Sequence, residues 1–476
     1  MDEAVKLSCS AMLRRRQREA ALQKARDIIE QILKELLSIQ VVPVPKSGSG
    51  EVPEIPWWIS AGNGDSLIIN RAISELILEL AGLLLTARPQ LANAISGKDW
   101  GTIVQRVIGP ILAEIDLDLP LAVSARDALI ALNGELDQSK WNFDKRTFLF
   151  GCSLIEHHEI SPFTVGPVTI SRRNIWLDAA LAEGRITPVT HRRLTARWSG
   201  KKVRRRKGSV DSVNESDIFE TVGEAPFICS VQTDGLFGSF AKEKALLAAR
   251  IAVVGVALMW VSPRSALRDI NFTYDGPSYI ETYVFYQDRP ESLGGRRRAR
   301  SFHGLTIFKD IWEPLVAKRA DWWATLAETI EFLLGDPATA RRPKLMNSFA
   351  HALIWFHEAC REPMPMIAIT KFMSCLDALA CGKGGGGIMN LISARTGVEP
   401  TTPIRKDGQP YKVVVNELYS QGRSRLLHGN SDRLGHDWED LRGLAETLAR
   451  RCLIHCFHWA ARHSESDDPQ QMSVPD

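Results

Sequence analysis

The sequence predicts an α+β multidomain protein: a helical N-terminal region (1–138), a central, mostly antiparallel α+β domain (139–304) and an all-α helical bundle (305–465). Three observations predict this. Apolar residues recur at three- and four-residue steps toward both ends of the chain. Between them, short segments rich in Val, Ile, Phe, Thr and Tyr are bounded by Gly, Pro, Asn and Asp. Finally, 476 residues with 45% hydrophobic and 24% charged side chains suffice for two to four domains with sizeable cores.

The first helix is expected over residues 11–39, where Leu22, Ala25, Ile29, Ile32 and Leu36 share a face. The stretch VVPVPKSGSGEVPEIP breaks regular structure. A second helical stretch follows over 66–95 and a shorter one over 100–115, interrupted at Gly109-Pro110. From Trp141 the segments TFLFGCSLIE, FTVGPVTIS, APFICSVQ, INFTYDG and YIETYVFYQ read as strands, with one helix from Ala241 to Trp260 among them. Beyond residue 305 the helices expected are Trp312 to Leu334, Pro343 to Glu358, Met366 to Ala380, Tyr411 to Leu427 and Trp438 to Arg462. Short connections between them give the pattern of an up-and-down bundle. Residues 466–476 read as a disordered tail.

The net charge of +3 excludes a wholly basic nucleic-acid coat and an acidic disordered chain. It hides an excess of seven in residues 141–300, with 24 basic against 17 acidic side chains. Two basic runs contribute. The first comprises Lys201, Lys202, Arg204, Arg205, Arg206 and Lys207, beside the acidic, polar run Asp211 to Glu220. The second is Arg296, Arg297, Arg298 and Arg300, after Gly294-Gly295. Each reads either as a solvated flexible loop or as a contact for a nucleic-acid backbone. No aromatic residue interleaves the first run, so base stacking there has no support.

The N-terminal Arg14, Arg15 and Arg16 precede an amphipathic helix, so no signal peptide is expected. The longest apolar run, Ile251 to Val261, is too short to span a bilayer. The eight cysteines form no CxxC pair and read as reduced thiols. A cytoplasmic protein without membrane attachment, metal or cofactor is the expectation. The run CGKGGGG (381–387) lacks the P-loop pattern and follows a helix, so it reads as a flexible helix connection. In EHHE (156–159) the adjacent histidines of a strand face opposite ways and cannot share a metal. Cys452, His455 and Cys456 continue an apolar helical stripe and read as core.

Arg423 and His428 form an R-x4-H pair in LYSQGRSRLLHGN (418–430). The spacing alone is weak, because Arg298 with His303 and Arg450 with His455 also match it. Context separates them: Gly429 directly follows His428 and suits a helix C-cap. On an ideal helix positions i and i+5 lie about 140° apart, so convergence needs a frayed helix end, a swung Arg or a second subunit.

This segment, through Tyr419, Arg423, Ser424, Leu427, His428 and Gly429, resembles the HEPN superfamily and within it the Apea-like domains. Asp377, in the upstream helix KFMSCLDALA, stands where such domains carry an acidic residue. The resemblance covers roughly residues 340–465. It implies a helical bundle that dimerises and a metal-independent endoribonuclease of bacterial defence or toxin type. Residues 1–304 would then sense a trigger or regulate. In that reading His428 acts on the ribose 2′-OH or the leaving group, Arg423 holds the scissile phosphate, and Ser424, Asp377 and Asn430 support them. Many active members carry Asn, Asp or His after the Arg, whereas Apea-like domains often have Ser, as here. The alternative is a non-catalytic module that binds RNA or nucleotide or mediates assembly. The two residues also have a purely structural reading, in which Arg423 pairs with Asp377 or Glu417 and His428 caps its helix.

Overall fold

The structure is a computed structural model. It describes residues 2–41, 57–116, 118–138, 143–156, 160–204, 208–275, 282–286, 293–297, 304–433 and 435–476, with the backbone alone for 2–19, 40–41, 282–286 and 293–297. The chain is mostly helical with a small antiparallel sheet region. It divides into two compact units.

The first unit comprises Met1–Asp144 and Gly235–Lys242. Its elements are α1 (Asp2–Val41), a hairpin of β1 (Trp57–Ser60) and β2 (Ser66–Ile69), α2 (Arg71–Thr86), the single turn α3 (Pro89–Ala92), α4 (Gly97–Ala113) and α5 (Leu121–Gln138). Ile29, Ile32, Ile73, Leu80, Trp100, Val104 and Leu132 share its core. Asn70 and Ser96 cap α2 and α4 by accepting from the backbone N–H groups of Ile73 and Asp99.

Two expectations fail here. Residues 66–69 form a strand paired with 57–60 rather than the start of a helix. Four residues are too few for periodicity to separate a strand from a helical turn. Helix α4 also runs through Gly109-Pro110 without breaking. Gly109 is there for contact: a Cβ on it would lie 2.2 Å from the Ser60 carbonyl oxygen. That oxygen belongs to backbone and cannot rotate away. Gly109→Ala is expected to destabilise this unit by about 1–3 kcal/mol, as overpacking does, measurable as a lowered urea midpoint. An unchanged midpoint would refute the contact.

The second unit comprises Lys145–Asp234 and Glu243–Asp476. Strands β3 (Arg146–Cys152), β4 (Phe163–Val165), β5 (Val168–Arg172) and β6 (Phe227–Thr233) form an antiparallel sheet in the order β3-β6-β5-β4. Between β5 and β6 lie α6 (Arg173–Ala182), α7 (Pro188–Trp198) and α8 (Val210–Val222), whose Trp176, Leu177, Leu194 and Val222 form a core with Ile228 of the sheet. The acidic run 211–220 lies within α8. Gly151 of β3 leaves room for the end of α8: a Cβ there would sit 2.4 Å from the Val222 oxygen.

Helix α9 (Gly238–Ala257) carries the apolar run, and α10 (Pro263–Asp269) follows. From Ile251 to Leu258 the apolar side chains are all buried. Gly255 admits the Trp323 ring and Leu326, which a Cβ would meet at 2.8 and 2.5 Å. INFTYDG forms no strand, only a bridge from Phe272 to Cys152. Strands β7 (Thr282–Tyr286) and β8 (Leu293–Arg297) make a second hairpin, so Arg296 and Arg297 lie in a strand. Arg298, Arg300 and His303 lie outside the described residues, as do residues 42–56 and the His-His pair 157–158.

The expected 312–334 helix is two, α11 (Lys309–Ala317) and α12 (Ala320–Leu334), separated at Lys318-Arg319. The remaining helices are α13 (Pro343–Arg361), α14 (Pro365–Leu379), α15 (Gly384–Thr396), α16 (Tyr411–Tyr419), α17 (Arg425–Leu427) and α18 (Glu439–Arg462). Phe457 of α18 packs between Trp322 of α12 and Phe349 of α13, at 5.8 and 5.2 Å between ring centroids. The sheet and these helices fall within one compact unit.

The tail is ordered. Pro469–Ser473 forms a 3-10 turn, Met472 is fully buried, and Asp476 pairs with Arg395 and Arg462 at 2.8 Å each. Asp467 caps α13 by accepting from the Lys344 and Leu345 N–H groups. One buried methionine and several charged anchors hold a segment whose composition alone suggests disorder. Among the described residues no single helix is long and apolar enough to cross a membrane. Six of the seven described cysteines are buried, and none forms a disulfide.

Candidate functional site

Helix α16 does not continue unbroken to Leu427. Ser420–Ser424 is a π turn, closed by a bond from the Arg425 N–H to the Ser420 oxygen, and α17 adds a short α-helical end. π turns inside helices occur often at functional sites. Contacts with α14 accompany this one. The Thr370 hydroxyl donates to the Gly422 oxygen at 2.6 Å. A Cβ on Gly422 would lie 2.5 Å from Ile369 Cγ2, so only glycine permits the approach without a shift. The ideal-helix phase therefore does not apply between Arg423, inside the π turn, and His428, beyond α17.

Arg423 turns toward α14. Its Nη2 pairs with Asp377 Oδ2 at 2.9 Å, Nη1 donates to the Tyr419 hydroxyl at 3.0 Å, and Nε reaches Ser374 Oγ at 3.4 Å. Its guanidinium carbon also lies 5.2 Å from the Tyr419 ring centroid. The Arg423 side chain is 22% exposed and that of Asp377 12%. Asp377 accepts a second bond from the Gly384 N–H at 3.0 Å. Among the described residues three of the five guanidinium N–H groups thus have partners, leaving two for a ligand.

His428 occupies the C-cap. The Gly429 N–H bonds to the Leu426 oxygen and the Asn430 N–H to the Arg425 oxygen, with Gly429 left-handed at φ +69°. This is the paired-bond helix ending that glycine favours, and it leaves His428 exposed at its corner. No hydrogen bond or ion pair joins Arg423 to His428. The side chains of Ser424 and Asn430 make no hydrogen bond among the described residues. Glu417 pairs instead with Arg405 at 3.5 Å and Arg433 at 3.6 Å.

The other R-x4-H pair within the described residues is structural. Arg450 Nε donates to the Leu258 oxygen at 3.1 Å, and His455 is exposed beside the buried Cys452 and Cys456 rather than part of the apolar stripe. No group of three or more His, Cys, Asp or Glu side chains suited to a metal ion occurs among the described residues.

Lys201, Lys202 and Arg204 are exposed after α7, while Arg205, Arg206 and Lys207 lie outside the described residues. Lys201 and Lys202 line a cleft of about 890 Å³ together with Asp217 and Glu220 of α8. Two further arginines there are already engaged. Glu215, nearly buried, takes Arg193 Nη2 at 2.8 Å and Arg197 Nη1 at 2.7 Å. Burial opposes ionisation of Glu215, but the two guanidiniums outweigh it and hold its carboxyl below the usual range. Among the described residues the lining of the cleft is therefore of mixed charge. If the loop nevertheless meets RNA, changing Lys201, Lys202 and Arg204 to Gln should weaken RNA binding and flatten its salt dependence by about 0.7 per lost phosphate contact. An unchanged salt slope would remove the loop from the interface.

Tyr419 and Ser374, partners of Arg423, and Gly384, a partner of Asp377, had no assigned role in the sequence. Tyr419 stands four residues before Arg423, and Ser374 three before Asp377, so helical spacing carried a signal for both. Nothing local marked Gly384. Comparison with family models, with curated proteins and with solved structures finds no match.

Proposed function

We propose that this chain is a metal-independent endoribonuclease that cleaves RNA by attack of a ribose 2′-OH on the adjacent phosphate, with the upstream residues sensing or regulating. The observation that carries the reading is the state of Arg423. It is a partly buried cation, held by three side chains, with two N–H donors still unused. A planar fork with two free donors suits the non-bridging oxygens of a phosphate, and fixed donors stabilise charge that develops there. His428, exposed at the end of the same helical segment, is free to exchange a proton with the 2′-OH or the leaving oxygen. RNA supplies the 2′-OH as an internal nucleophile. In this reading the two sites of a homodimer face one another through the C-terminal helices.

The test is incubation of the full chain with single-stranded RNA in EDTA and analysis of the product ends. The expected result is 2′,3′-cyclic phosphate on the upstream fragment. Fragments ending in 3′-OH would contradict it.

The Arg423–Asp377 pair favours a second reading, a binding module without cleavage. A carboxylate at 2.9 Å offsets much of the cation's charge. In that case RNA affinity survives His428→Ala, and no fragments form.

A further inference from the structure

The glycine run after α14 is not a slack connection. Gly384–Gly387 forms the first turn of α15, and two of its glycines touch the surroundings of Arg423. A Cβ on Gly384, which has φ +65°, would lie 3.1 Å from the Tyr419 hydroxyl oxygen, and one on Gly385 would lie 3.4 Å from Tyr419 Cγ. A Cβ on Gly386 would meet nothing within 4 Å. On its other side Tyr419 meets the guanidinium twice, through the hydroxyl at 3.0 Å and through the ring. The same turn reaches the second restraint on Arg423, since the Gly384 N–H bonds to Asp377.

We infer that Tyr419 is the positioning residue of Arg423, and that Gly384 and Gly385 are the seat that fixes Tyr419. Without side chains the two glycines let the ring approach the start of α15. The hydroxyl then holds Nη1 while Asp377 holds Nη2, so the guanidinium cannot exchange its two ends. Its two unused N–H groups are thereby kept in one orientation. The consequence for RNA cleavage rests on the reading of Arg423 as the phosphate-holding group. The positioning itself does not.

The experiment has two readouts on the full chain. Arginine labelled with ¹³C and ¹⁵N reports rotation about the Nε–Cζ bond, with the Arg423 signal assigned by its loss in Arg423→Lys. Wild type should show separate Nη1 and Nη2 resonances. Tyr419→Phe keeps the ring but loses the acceptor, and should merge them. Gly384→Ala should do the same, and Gly386→Ala should not. Resonances that stay separate in Tyr419→Phe would overturn the inference, and that variant decides the matter if Gly384→Ala fails to fold. The second readout is cleavage of a 12-nucleotide single-stranded RNA. Tyr419→Phe should lower kcat by about tenfold with KM changed less than about twofold, the pattern of a contact used in the transition state. An unchanged kcat would also overturn the catalytic role of the positioning. If wild type cuts no RNA, the nuclease reading fails, and the resonances alone decide whether Tyr419 positions Arg423.

Discussion

His428→Ala should slow cleavage of single-stranded RNA by about 10²–10⁴ fold, the usual contribution of one general acid or base. The side chain is exposed and makes no hydrogen bond among the described residues, so its loss should leave the unfolding midpoint unchanged. Arg423→Ala should cost a comparable factor, but it also strips Asp377 of its ion pair. Asp377 then keeps the Gly384 N–H as a partner, and some loss of stability is expected with the loss of activity. The two variants thus separate chemistry from folding: an inactive, fully stable His428→Ala protein shows that the defect is catalytic. Activity equal to wild type in His428→Ala would remove His428 from the mechanism.

The largest effect on stability is expected at Arg342, remote in sequence from the site. Its side chain is 4% exposed and ties three helices together. Nε donates to Glu328 of α12 at 2.9 Å, and Nη2 also pairs with that carboxylate. Nη1 donates to the Ala460 and His463 oxygens at the end of α18. The Ala460 carbonyl belongs to the last turn of α18, where no intrahelical donor remains, whereas the His463 carbonyl also accepts from the Ser466 N–H. Arg342→Met should lower unfolding stability by about 3 kcal/mol, because it takes the guanidinium from the Glu328 carboxylate and from the buried Ala460 carbonyl. The neighbour Arg341 pairs with Glu465 at the surface, where both are exposed, and Arg341→Met should change stability by less than about 1 kcal/mol. Equal effects of the two substitutions in urea unfolding would contradict the burial argument.

These residues also mark where the sequence was legible. Helices with long apolar stripes, such as α13 and α14, lie close to where periodicity puts them, because burial of one face is a local pattern. The partnership of Arg423 with Asp377 was among the pairings their residue types allowed. Glu417 was the other, and it is engaged by Arg405 and Arg433. What stayed hidden depends on contacts between segments distant in sequence. Gly109 answers to Ser60, Gly422 to Ile369, and Gly384 and Gly385 to Tyr419. A glycine's local signal is flexibility, and the same residue serves wherever two backbones or a ring must come close. The π turn is hidden for the same reason, since its contacts come from Thr370 and Ile369 on α14. The tail is a related case: its polar composition suggests disorder, and Arg395, itself buried, anchors it through Asp476 and the Val474 oxygen.

The reading of Arg423 and His428 stands or falls on the role of the 2′-OH. The most direct measurement compares two oligonucleotides of one sequence in EDTA, one all-ribose and one with a single 2′-deoxy nucleotide at the mapped cleavage position. The all-ribose strand should be cut there, and the substituted strand should be bound with similar affinity but left intact at that position. Cleavage of the substituted strand at the same position would contradict it.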